Sequence, residues 1–318
     1  MLLTARKSDE GAPCPAGGLR IALAGYGVVG QALTRRLEPE PDFEIAAVLV
    51  RDRARARAVP PPCRITDDRA AFLATPADIL VDVFSCDATG EALSLESLAA
   101  GRHVVSASKR VVARARDRLA RLAEARGASL HYSAAVGGAA PVLETVAAAR
   151  AAGGVAEVSA ILNGTVNFIL DRLGQGEDFD AALAAARAAG FAEEDASSDL
   201  EGHDAAAKLK LVAAEAFGVD PADVPVRTQS LDRDRARRIR GARWIQVSRL
   251  TRAGGEVTLR PAGEAGLPAL PGEWNAARVI ATDGTLFECA GRGAGGAPTA
   301  EALLGDLRRV LRRVREAA

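Results

Sequence analysis

No apolar stretch in this chain approaches the roughly 20 residues that a membrane-crossing helix requires. Residues 1–18, MLLTARKSDEGAPCPAGG, hold too brief an apolar patch for a secretory signal and end in a Pro/Gly cluster. They read as a loose tail. Neither sign of charge is in excess. The 41 basic and 41 acidic side chains balance, which removes the electrostatic case for nucleic acid or a membrane surface as partner. Arginine-rich runs at 233–240 and 308–315 are interleaved with apolar or acidic residues and read as solvated faces. Cysteine is scarce. Cys14, Cys63, Cys86 and Cys289 lack metal-site spacing, and their scatter suits a reducing, cytoplasmic compartment. Internal repeats and long low-complexity linkers are absent. What remains is 318 residues, 48% hydrophobic and 26% charged, enough for one large or two moderate domains.

The positive signals begin at residues 19–24, LRIALA, an apolar run that flows into Gly25-Tyr26-Gly27-Val28-Val29-Gly30 and then a helical stretch at 31–37. Strand, G-x-G-x-x-G and helix in succession suit a dinucleotide: the glycines permit a tight turn, and helix-start amides meet the pyrophosphate. A second buried-looking strand at 43–50 completes a βαβ unit. Arg51 stands at its end, where an acid would bind the ribose hydroxyl of NAD, and Asp52 follows. The arginine favours a 2′-phosphate and hence NADP; the aspartate keeps NAD open. Strands at 77–84, 102–106 and 129–133 alternate with helices at 90–100 and 110–126, the pattern of an α/β fold with a doubly wound parallel sheet. Ligands in such sheets lie beyond the strands' carboxyl ends, which is where Ser85 and Lys109 fall. Lys109 is either an exposed helix-start lysine or a group beside the nicotinamide.

The loop at 136–141 reads as a seam leading to a helix at 142–151. A strand at 155–162 follows, ending in Asn163-Gly164-Thr165, then helices at 166–173 and 179–189. That turn offers amides and a hydroxyl to a polar ligand, or is simply a helix start capped by Thr165. Residues 190–211, GFAEEDASSDLEGHDAAAKLKL, gather Glu193, Asp199 and Asp204 ahead of Lys208. Asp204 and Lys208 are four apart and share a helix face, with Leu209, Leu211 and Val212 turned toward a core. The stretch is a wet acidic loop with one surface ion pair, or a site where carboxylates hold a cationic substrate beside a reacting lysine. Strands at 242–251, 256–261 and 276–281 extend a second, mixed sheet, connected in part through a Pro/Gly-rich segment at 263–272. A glycine loop at 291–296, serving as a hinge or as a cofactor contact, precedes an amphipathic last helix.

Six of these stretches, GYGVVG, SASK, YSAAVGGAAP, ILNGTVNF, GFAEEDASSDLEGHDAAAKL and GRGAGGAPTAEALLGDL, occur in an order and spacing that resemble homoserine dehydrogenase over nearly the whole chain. The resemblance is to the short, stand-alone form, without aspartate kinase or a C-terminal regulatory domain. It implies a Rossmann-type doubly wound sheet (19–135), a second α+β substrate and dimerisation domain (136–290), and a return of 291–318 to the cofactor domain. It implies NAD(P)-dependent interconversion of L-aspartate 4-semialdehyde and L-homoserine in threonine and methionine biosynthesis, by a homodimer. By position, Lys208 and Lys109 are the proton-transfer lysines, while Gly164, Thr165, Glu193, Asp199 and Asp204 hold substrate. The cofactor positions are Gly25, Tyr26, Gly27, Val28, Val29, Gly30, Arg51, Ser85, Lys109, Gly190, Gly291 and Gly293. A monovalent cation such as sodium would take the carbonyls of Val136, Gly138 and Ala140 plus a glutamate. Ser133 stands in that glutamate's place and brings no charge, which argues against the cation. Arg292 replaces a usual proline and could add a charge near the phosphates. Another oxidoreductase of the same architecture, or a non-catalytic NADP-binding protein, are the competing readings.

Overall fold

A computed structural model describes residues 18–55, 57–63, 65–264, 266–268, 270, 272–293 and 295–317, so the expected tail lies outside the described residues except for Gly18. The first sheet holds β1 (Leu19–Ala24), β2 (Phe43–Leu49), β3 (Ile65–Thr66), β4 (Ile79–Asp82), β5 (His103–Ser106) and β6 (Leu130–His131). All neighbours are parallel, in the order β3-β2-β1-β4-β5-β6, the doubly wound arrangement expected. Its strands are apolar on both faces because both faces are covered. Ile21 and Leu23 pack with Leu33 of α1 (Val28–Leu37). Ala22 and Ala24 pack on the opposite face, with Leu93 of α3 (Asp87–Ala99) and Leu119 of α4 (Lys109–Ala125). A short α2 (Arg69–Ala74), capped by Asp68, adds Phe72 to that side.

The second sheet is built from β7 (Val155–Ile161), β8 (Val226–Thr228), β9 (Trp244–Thr251), β10 (Gly254–Pro261), β11 (Trp274–Ala281) and β12 (Leu286–Arg292), in the order β12-β11-β7-β9-β10-β8. Its pairings are antiparallel apart from β8 with β10. On one face lie α5 (Val142–Ala151) and α9 (His203–Phe217), whose Val146, Leu209 and Val212 meet Val158 and Val279. A separate cluster joins α6 (Gly164–Gly174), α7 (Phe179–Ala188) and α10 (Arg233–Ile239); α8 (Ser197–Leu200) is one short turn between α7 and α9. The last helix, α11 (Gly296–Ala317), lies back on the first sheet beside α1, with Leu303, Leu307 and Val310 fully buried.

Three local expectations change. The strand expected at 129–133 is only Leu130–His131, because the chain tightens into a 3-10 turn at Ser133–Ala135. The glycine loop expected from 291 begins later: Gly291 and Arg292 are strand residues of β12, paired with Asn275 and Trp274. That strand therefore crosses the boundary expected at 290. Finally, α6 starts at Gly164 because its cap is Asn163, whose side chain accepts from the Val166 N–H, rather than Thr165. Among the described residues no helix is long and apolar enough to cross a membrane.

Candidate active site

The parallel strands β1, β4 and β5 deliver the segments after them to one rim. Val83 to Ser85 follow β4, and Ala107 to Lys109 lead from β5 into α4. Opposite this rim lies the turn after β7 and the start of α9, and between them is a crevice of about 690 Å³. Lys109, Gly164, Thr165, Glu193, Asp199, Asp204 and Lys208 all line it, together with Val29, Ser85, Val136, Gly138 and Gly293.

The centre of the crevice is a carboxylate shared between two lysines. Lys208 Nζ lies 2.8 Å from Asp204 Oδ2, and Lys109 Nζ is paired with Asp204 Oδ1. Burial alone would raise the Asp204 pKa, but Lys208 and Lys109 outweigh it and hold this carboxyl well below the usual carboxylate range. Lys208 also donates to the Leu162 carbonyl at 2.8 Å. An ammonium carries three donors, so one of its N–H bonds remains for a ligand. The helix that carries the pair is fixed from below, since Leu209, Leu211 and Val212 are fully buried and each such side chain stabilises by about 1.5–3 kcal/mol. Asp204 sits in the first turn of α9, where the helix dipole favours a negative charge.

Asn163, which sequence reasoning did not single out, cross-links the acids. Its amide donates to Asp199 Oδ1 at 2.7 Å and to Asp204 Oδ2 at 2.9 Å. An asparagine before a helix announces a cap, but contacts to side chains 36 and 41 positions away leave no local signal. The loop that carries Glu193 starts just past the end of α7 at Gly190, whose φ of +75° suits a residue without Cβ. Gly190 itself is exposed and is not on the crevice wall. The Thr165 hydroxyl donates to the Phe191 carbonyl at 2.7 Å and ties that loop to α6, leaving the Glu193 side chain exposed at the mouth.

At the glycine turn, Gly25 has φ +104°, and a Cβ there would come within 2.6 Å of the Val83 carbonyl oxygen. A Cβ on Gly30 would lie 2.3 Å from the Gly25 oxygen, whereas above Gly27 the space is open. Val28 is 75% exposed, and the α1 amides have no side-chain cap. An open cradle with unclaimed helix-start amides fits a dinucleotide pyrophosphate. Tyr26 points elsewhere: it is buried and its hydroxyl donates to the Pro60 carbonyl at 2.9 Å. Arg51 is exposed after β2, and the loop continues with Arg53, Arg55 and Arg57. The Asp52 carboxylate is engaged by the Ala54 N–H at 2.8 Å. Gly291 is held in β12 against the backbone of Ala139 and Ala140, off the crevice wall. Arg292 is two-thirds exposed, 3.9 Å from Glu273.

The residues around Ser133 do not fit a monovalent cation. Arg309 donates to the Ser133 hydroxyl at 3.1 Å, and the Ser133 N–H donates to Asp306 at 2.9 Å. The Ala140 carbonyl already accepts from the Val142 N–H at 2.8 Å. Arg309 is itself paired with Asp306 and Glu144, so the acids beside Ser133 are committed to a guanidinium rather than left to a cation. One further acid lies under the crevice floor at the end of β4. Asp82 is fully buried, hydrogen-bonded by the Ser106 hydroxyl at 3.0 Å and the Phe84 N–H at 3.1 Å, and burial pushes its pKa up to about 6.

Comparison with known proteins agrees with this geometry. A family model described as homoserine dehydrogenase matches residues 141–307, and one described as homoserine dehydrogenase, NAD binding domain, matches residues 25–133. The homoserine dehydrogenase of Mycobacterium leprae is 33% identical over 90% of this chain and 71% of its own length. The solved homoserine dehydrogenase of Thiobacillus denitrificans superposes with a TM-score of 0.81 at 29% identity, over 93% of this chain and 73% of that one. A hyperthermophilic archaeal homoserine dehydrogenase, solved in complex with NADPH, shares the fold at a TM-score of 0.78 and 21% identity, over 93% and 98% of the two chains.

Proposed function

Because the chain belongs to the homoserine dehydrogenase family of NAD(P)-dependent oxidoreductases, we propose that it interconverts L-aspartate 4-semialdehyde and L-homoserine in threonine and methionine biosynthesis. The observation that carries this reading is the Lys109–Asp204–Lys208 group lining a crevice between the glycine turn and a set of carboxylates. The substrate is an amino acid, and its ammonium would be met by the exposed carboxylate of Glu193, with Asp199 deeper in. Bound reduced nicotinamide supplies the hydride. As hydride reaches the carbonyl carbon, negative charge gathers on the oxygen, and the remaining N–H of Lys208 stabilises and then protonates it. Lys109, held by the other oxygen of Asp204, supports that charge from the cofactor side. In the oxidative direction the Lys208 amine takes the proton back from the alcohol.

We assign residues 19–135 together with α11 to the cofactor, and the second sheet through Arg292 to substrate, a division supported by the packing of α11 on α1. NADP is read as the preferred cofactor because Arg51, exposed after β2, opens an arginine-rich loop. A homodimer built on the second sheet, whose edge strands are β12 and β8, is the oligomeric state that the family likeness suggests. Sedimentation or light scattering tests this directly. A cytoplasmic setting accords with the free thiols of Cys63, Cys86 and Cys289. The experiment that tests the assignment is absorbance at the reduced-nicotinamide band with purified protein, homoserine and either cofactor. Reduction of NADP in the presence of homoserine is expected; no reduction with either cofactor would contradict it.

A further inference from the structure

We infer that Asn163 is a positioning residue for this reaction, which holds Asp199 and Asp204 in a fixed arrangement so that Asp204 presents both lysines to the crevice. The inference rests on the reading of the site given above. Asn163 is 2% exposed and stands in the turn between β7 and α6. Its Oδ1 accepts from the Val166 N–H at 2.8 Å, which fixes which way the amide points. Both amide hydrogens then have partners: Asp199 Oδ1 at 2.7 Å and Asp204 Oδ2 at 2.9 Å. Every donor of the side chain is in use, and both go to carboxylates from different helices, α8 and α9.

A helix cap alone would not require this. Serine, threonine or aspartate would cap α6 about as well, since capping uses only an acceptor. The amide is needed because two carboxylates share this corner of the crevice. Without a common donor they would repel and turn apart. The neighbouring residue completes the arrangement. The Leu162 carbonyl accepts from Lys208 Nζ at 2.8 Å, so two consecutive residues of one turn hold the lysine and its counter-ion. Charged groups around Asp199 come from two elements, Lys109 from α4 and both Asp204 and Lys208 from α9. Burial pushes the Asp199 carboxyl up, and the hydrogen bond from Asn163 acts in the opposite direction.

The test uses two variants, Asn163→Ser, which keeps a cap acceptor, and the isosteric Asn163→Asp, which keeps the acceptor but replaces the amide donor by a third carboxyl oxygen facing Asp199 and Asp204. Steady-state rates with homoserine and NADP are measured from acid to alkaline pH, beside cofactor titration and thermal melting. For both variants kcat/KM is expected to fall roughly 10- to 100-fold, the scale of losing hydrogen bonds to a charged group. The acidic limb of the profile is expected to move to higher pH, because Asp199 loses a bond that favours its ionised form. Cofactor affinity should stay within about twofold. Wild-type rates in both variants, with the acidic limb unmoved, would overturn the inference while leaving the site assignment intact. Loss of the melting transition in both would show that Asn163 serves the fold alone, and would also overturn it. A wild-type protein inactive on homoserine would overturn the site assignment and this inference together.

Discussion

Replacing Asp204 by asparagine probes the shared carboxylate most informatively, because its two oxygens have different loads. Oδ1 takes Lys109, whereas Oδ2 takes Lys208 and Asn163. An amide oxygen can occupy only one of those places. Placed toward Lys208 and Asn163, it keeps two partners and turns its NH2 on Lys109, a donor against a donor. The opposite orientation loses two partners, so the first should prevail. Lys109 has a side chain 40% exposed and can swing into solvent, whereas the Lys208 side chain is only 15% exposed and cannot. Breaking a buried ion pair costs about 3–5 kcal/mol, and the exposure of Lys109 places this variant at or below the lower end, about 3 kcal/mol. The catalytic loss follows from an unanchored Lys109 and a weakened hold on Lys208. One charge-assisted hydrogen bond is worth about 1.5–3 kcal/mol, or roughly 10- to 100-fold in kcat/KM. Chemical denaturation, NADP titration and steady-state kinetics with homoserine would be read on the same preparation. A variant that loses stability yet retains kcat/KM within about threefold would refute the claim that this carboxylate organises the chemistry.

Other perturbations test separate parts. Arg51→Ala should weaken NADP roughly tenfold and NAD little, by equilibrium titration; equal losses for both would contradict the 2′-phosphate role. Gly30→Ala places a Cβ 2.3 Å from the Gly25 oxygen, so it should destabilise by about 1–3 kcal/mol and weaken both cofactors alike. Asp82 carries a pKa raised to about 6 from an unfolded value of 3.8. The folded state therefore binds more protons than the unfolded state between those values, and stability falls as pH rises through that window. Asp82→Asn should remove a fall of about 3 kcal/mol between pH 3 and 7, measured by urea unfolding across pH; an unchanged slope would mean that Asp82 ionises without cost.

Most of the first sheet was legible because β1, β2, β4 and β5 are apolar on both faces and helices recur between them; β3 and α2 carried no expectation, since β3 is two residues long and exists only by pairing with β2. The G-x-G-x-x-G run and the four-residue step from Asp204 to Lys208 are local patterns, and the latter is realised at 2.8 Å. Elements that depend on partners were harder to see. β12 alternates exposed and only half-buried positions, with a glycine and an arginine at its end; it is a strand because β11 lies beside it. α3 begins at Asp87, three residues before the expected start at Gly90. A glycine inside a helix is ordinarily a poor sign, but here a side chain would come within 3.1 Å of both Asp82 oxygens. Asn163 illustrates the same limit within the site. Its sequence neighbours show a cap, and its role toward the carboxylates exists only once α8 and α9 have folded against the turn.

The most direct measurement is turnover by Lys208→Ala beside its affinity for NADP. Cofactor binding within about twofold of wild type, with kcat reduced at least 100-fold, is the predicted result, on the scale of removing a positioned acid–base group. A variant that oxidises homoserine at the wild-type rate would contradict the account.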